Sequence, residues 1–122
     1  MNNLTVLLVE NDLSLAMLLE MWLSKHVNQV EITTTYDEAQ EAMQKQKFDF
    51  LLIDTSQSKE TQFDDFNAFY SRQSKSTPTI IFTSCNDSDD LLKFKAMEYV
   101  LAVFEKPLTL EQLNAAQELV HG

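Results

Sequence analysis

Hydrophobic positions along the chain switch repeatedly between short continuous runs and helical spacing. Thr5 to Val9 is a nearly continuous apolar run that suits a strand covered on both faces, and it ends at Glu10. Leu15, Leu18, Leu19, Trp22 and Leu23 then fall on one helical face, with Asp12 or Ser14 able to cap the start. Val30, Ile32 and Thr34 alternate as a strand, and Asp37 followed by Gln40 resembles a capping box that opens a short helix through Ala39, Ala42 and Met43. Phe48 to Ile53 predicts a third strand, followed by a helix whose apolar stripe is Phe63, Phe66, Phe69 and Tyr70. Pro78 marks a turn before a fourth strand, Thr79 to Phe82. Asn86 and Asp87 are cap candidates for a helix carrying Leu91, Leu92 and Lys95 to Met97. Tyr99 to Phe104 predicts the fifth strand. Thr109 with Gln112 is a second capping-box pattern, opening a last helix with Leu110, Leu113, Ala116, Leu119 and Val120 turned inward.

Five strand-helix pairs predict an α/β fold, a doubly wound parallel sheet with helices on both faces, because each right-handed crossover between parallel strands needs its intervening helix. At 122 residues the expectation is a single domain spanning 1–122, with enough buried apolar surface to need neither disulfides nor a structural metal. Nine basic and nineteen acidic side chains give a net charge of -10, which repels phosphate backbones and anionic lipid. No direct nucleic-acid or membrane contact is expected. The single cysteine, Cys85, excludes an internal disulfide and fits a reducing compartment, so a cytoplasmic location is expected. His26 and His121 lack metal-ligand spacing and read as packing or surface residues, while Trp22 reads as core.

In sheets of this kind the functional crevice lies beyond the carboxyl ends of the strands. Those ends carry Glu10, Asn11 and Asp12 after the first strand, Asp54 after the third, Thr83 and Ser84 after the fourth and Lys106 after the fifth. Each has a plain structural explanation by itself: a helix cap, a strand end, a solvated turn. Together they suit phosphoryl transfer to Asp54. A carboxylate serves as nucleophile, Glu10 holds Mg²⁺ directly or through water, Thr83 donates to a phosphoryl oxygen and Lys106 neutralises another.

The motifs VLLVEND, the apolar strand ending in Asp54, IIFTS and FEKP resemble the receiver domain of bacterial response regulators, across essentially the whole chain. The resemblance implies a flavodoxin-like, CheY-like (βα)5 sheet in the order 2-1-3-4-5. It implies a two-component phosphorelay in which a histidine kinase or histidine phosphotransfer protein delivers phosphate to Asp54. Metal ligands would be Glu10, Asn11, Asp54 and the backbone carbonyl of Ser56, and the bond from Lys106 to Pro107 would be cis. The output would be a downstream protein partner on the face of the fourth helix, fifth strand and fifth helix, with a homodimer admitted. Catalysis would extend at most to self-phosphorylation from a phosphodonor and autodephosphorylation.

The chain departs from the family pattern in several places. Asn11 stands where receivers usually carry a second acid; an amide oxygen binds Mg²⁺ but brings no charge, so weak metal binding is expected. Val103 replaces the usual aromatic switch residue, and strand alternation sends its neighbour Phe104 to the other face. Tyr99 and Val100 replace a small pair, and the loop from Thr55 to Gln62 lacks Pro and Gly. These departures keep an alternative open, an atypical pseudo-receiver that binds partners without phosphorylation. A flavin carrier on the same fold is disfavoured because Glu10 and Asp12 would repel its phosphate, and a haloacid-dehalogenase-like phosphatase would need an aspartate where Ser56 stands.

Overall fold

The computed structural model describes residues 4–56, 61–73 and 77–121. Its elements run β1 (Thr5–Val9), α1 (Leu13–Leu23), β2 (Gln29–Thr33), α2 (Tyr36–Lys45), β3 (Phe50–Asp54), α3 (Gln62–Ser71), β4 (Thr79–Thr83), α4 (Ser88–Ala96), β5 (Val100–Glu105) and α5 (Leu110–His121). All strand pairings are parallel, in the order β2-β1-β3-β4-β5, the flavodoxin-like arrangement the resemblance implies. The central strands β1, β3 and β4 are buried on both faces, which explains why they read as continuous apolar runs rather than alternating ones.

Period-two alternation divides the core in two. Val6, Leu8, Leu52, Ile80 and Phe82 meet Ala16, Leu19 and Leu23 of α1 and Ala116 and Val120 of α5. On the opposite face Leu7, Val9, Leu51, Ile53 and Ile81 meet Ala39 and Ala42 of α2, Phe66 and Phe69 of α3 and Phe94 of α4. Val103 joins this second layer, while Phe104 turns to the first and stacks on Phe82 with ring centroids 6.0 Å apart, as alternation predicts.

Local chemistry fixes the helix starts. Asp12, rather than Ser14, caps α1 by accepting from the backbone N–H groups of Ser14 and Leu15, and Asp87 caps α4 in the same way. Thr109 and Gln112 form the expected reciprocal box at α5. The box at α2 lies two residues earlier than the Asp37–Gln40 reading. There the Thr35 hydroxyl accepts from Glu38 N–H and the Glu38 carboxylate accepts from Thr34, because β2 ends at Thr33 and leaves Thr35 free to turn.

Two apolar positions differ from the inward faces expected of them. Leu18 is 64% exposed and Leu110 is 71% exposed. In α1 the buried stripe is centred on Ala16, Leu19 and Leu23, which leaves Leu18 about 100° away from Leu19. Leu110 is the first residue of α5, and the inward side of that helix is carried instead by Leu113, Ala116 and Val120. Residues 57–60 of the loop lacking Pro and Gly lie outside the described residues. One irregularity interrupts the sheet: Thr79 pairs with Val100 but Ile80 with Ala102, so β5 carries an extra residue at Leu101.

Candidate functional site

At the carboxyl ends of β1, β3 and β5 the fold brings together three of the residues singled out by sequence. Lys106 Nζ donates to Asp54 Oδ2 at 2.9 Å and to Glu10 Oε1 at 3.3 Å. The other carboxylate oxygens are met by the backbone: Ser56 N–H donates to Asp54 Oδ1 at 2.9 Å and Asp12 N–H to Glu10 Oε2 at 3.2 Å. Both acids are buried and Lys106 is partly so. The Lys106–Pro107 bond is cis, and Lys106 N–H donates to Thr83 carbonyl, which ties the end of β5 to β4.

Two buried carboxyls share a single ammonium, and their titration diverges accordingly. Burial and then the neighbouring Asp54 push Glu10 up to about 7, against the opposing pull of Asp12 N–H and Lys106. Burial also acts to raise Asp54, but hydrogen bonds from Glu10, Lys106 and Ser56 outweigh it and hold Asp54 below the ordinary carboxylate range. Burial works against the Lys106 ammonium, yet Asp54 and Glu10 beside it hold its pKa above the usual lysine value. Of the pair, therefore, Asp54 holds the charge and Glu10 binds the proton more readily.

A pH dependence of stability follows. Glu10 binds its proton more tightly in the folded chain than in the unfolded one, where its ordinary value is 4.5. Its contribution to stability is fully present below that value and is lost as pH rises through about 7. Melts in a chelator between pH 5 and pH 8 should show the midpoint falling over this range, and Glu10→Gln should flatten the fall. An equally steep fall in Glu10→Gln would place its origin elsewhere.

The remaining candidates surround this triad. Asn11 is exposed at the rim beside Glu10, and Asp12 is committed to capping α1, so it adds no third carboxylate facing the pair. Among the described residues there is no group of three or more His, Cys, Asp or Glu arranged to hold a metal. Hard oxygen donors are nevertheless present: two buried carboxyl groups side by side at one ammonium, which is donor chemistry that fits a hard divalent ion once Glu10 gives up its proton. Thr83 is fully buried at the end of β4, and its hydroxyl bonds to Gln62 Oε1 at 2.9 Å. Sequence reading missed Gln62. The available signal was its place on the stripe Gln62, Phe66, Phe69, where an amide interrupts an otherwise apolar face.

The model of the response regulator receiver domain family matches residues 6–118, and the chain belongs to that family. No curated protein matches the chain. Among solved structures, the receiver domain of the Francisella response regulator 1452 superposes with a TM-score of 0.78 at 16% identity, covering 98% of this chain and 97% of that one. Chemotaxis protein CheY4 from Vibrio cholerae is similar at 24% identity and TM-score 0.77, covering 96% and 98%. A CheY-like receiver domain from Methylobacillus flagellatus is 14% identical with TM-score 0.73, covering 96% and 98%. At these identities the likeness is one of fold. Among the described residues no helix is long and apolar enough to cross a membrane.

Proposed function

We propose that this receiver domain accepts a phosphoryl group on Asp54 from the phosphohistidine of a histidine kinase or histidine phosphotransfer protein, and that the loaded site changes partner binding on the face of α4, β5 and α5. The supporting observation is the state of Asp54: buried, held ionised, and oriented through both oxygens by Lys106 and Ser56 N–H. In the transfer an Asp54 oxygen bonds to phosphorus as the phosphorus–nitrogen bond breaks, and the bonding pair stays on the imidazole nitrogen. Lys106, which already reaches Asp54 Oδ2, is close enough to follow the charge onto a phosphoryl oxygen. Glu10, Asp54, the Ser56 carbonyl and the Asn11 amide oxygen would hold Mg²⁺, which when bound neutralises phosphoryl oxygens beside the nucleophile. Because Asn11 brings no charge, that binding is weaker than with an acid pair. A cytoplasmic setting accords with Cys85, a free thiol.

Intact mass after incubation with acetyl phosphate, with and without Mg²⁺, tests the proposal. A Mg²⁺-dependent phosphoryl adduct is expected. A folded protein that acquires none at high Mg²⁺ would instead be a binding module that works without phosphate.

A further inference from the structure

Thr83 donates its one hydroxyl proton to Gln62 Oε1 at 2.9 Å, and its lone pairs accept from Thr55 Oγ1 at 2.8 Å and from Cys85 N–H at 3.0 Å. The hydroxyl is thereby saturated, and no water reaches it, because Thr83 is fully buried and Thr55 and Gln62 are nearly so. It has no proton left for an oxygen carried on Asp54.

We propose that Gln62 is a positioning residue that holds the Thr83 hydroxyl in a resting arrangement and so sets the threshold at which a phosphoryl group on Asp54 can engage it. This rests on Asp54 being the acceptor. A charged phosphoryl oxygen is a stronger acceptor than an amide carbonyl, so a loaded site draws the Thr83 proton away from Gln62. The exchange leaves no buried acceptor bare, since Thr55 Oγ1 already lies 3.2 Å from Gln62 Oε1 and can turn its own proton there. The cluster thus has two satisfied arrangements, Thr55 to Thr83 to Gln62 at rest and Thr83 to phosphoryl with Thr55 to Gln62 when loaded. Gln62 opens α3, and its Nε2 also reaches Ser84 Oγ at 3.4 Å, while Ser84 N–H donates to Ser56 Oγ at 3.1 Å. The same side chain therefore links the start of α3 to the loops after β3 and β4.

Titration with beryllium fluoride in Mg²⁺, a phosphoryl stand-in on a carboxylate, followed by fluorine NMR, tests this in the whole chain. Gln62→Met should tighten apparent binding about fivefold, the factor equivalent to one hydrogen bond of ordinary net strength. In a Thr83→Val background the same substitution should change nothing, because the effect acts through the hydroxyl. Gln62→Leu serves if Gln62→Met does not fold. Equal affinity for wild type and Gln62→Met, or a gain that persists in Thr83→Val, overturns the proposal and leaves the role of Asp54 intact. Absence of binding in every protein overturns the Asp54 reading instead. The restraint itself is then read without ligand from Cys85 amide exchange: faster exchange in Gln62→Met supports it, and unchanged exchange refutes it.

Discussion

Asp54→Ala is expected to abolish the phosphoryl adduct completely and, in the same protein, to shift the pH at which stability declines. The first effect follows from chemistry: Glu10, the other carboxyl at the site, has its charge suppressed near neutral pH and makes a poor nucleophile. The second follows from coupling. Asp54 is one of the groups that drive Glu10 upward, and its removal leaves Lys106 to Glu10 alone. Burial still raises Glu10, so its transition should move down in pH without returning to 4.5. Intact mass checks the first effect and melts across pH 5 to 8 in a chelator check the second. An adduct that survives would identify another acceptor, and an unmoved transition would mean that burial alone governs Glu10.

Phe66→Ala should be the most damaging single change to the fold, destabilising it by about 3–5 kcal/mol against a total of about 5–15 kcal/mol for a domain of ordinary stability. Phe66 is fully buried on the inner face of α3. Its ring meets Tyr70 with centroids 5.1 Å apart, Phe94 at 5.7 Å and both Tyr36 and Phe69 at 6.5 Å. Truncation removes the ring that joins α2, α3 and α4 beneath the sheet, and rigid neighbours on three sides cannot all close the gap. A melting temperature lower by about 10–20 °C is expected by calorimetry. A loss under about 1 kcal/mol would show that α3 repacks freely.

Why much of this was readable from sequence, and some was not, has a physical basis. Strands buried on both faces leave an unmistakable apolar run, and a charged residue that ends such a run must lie at the sheet's rim. Asp54 and Glu10 were legible for that reason. Lys106 follows the less buried β5 and was legible only from its place after the fifth strand, and the convergence of all three at one end follows from the parallel sheet. Gln62 was obscured because Thr61 to Asp65 looks like a solvated helix start, and only the sheet reveals that the amide faces inward toward Thr55 and Thr83. The α2 cap was ambiguous for another reason: Thr35–Glu38 and Asp37–Gln40 overlap, and the choice depends on where β2 stops pairing with β1. Leu18 and Leu110 show the limit of helical periodicity, which assigns a face but not the width of the surface available to cover it.

The extra residue at Leu101 bears on how this molecule avoids its own kind. Val100 and Val103 pack into the same layer although an uninterrupted strand would turn them to opposite faces, so the alternation is reset between them. The reset falls on β5, an outermost strand of the sheet, and bends the row of backbone donors and acceptors that a second chain would have to match. An edge with a kinked, out-of-phase ladder makes a poor template for further strands, so intermolecular sheet growth on this side is discouraged even where the exposed Leu101 would otherwise invite it.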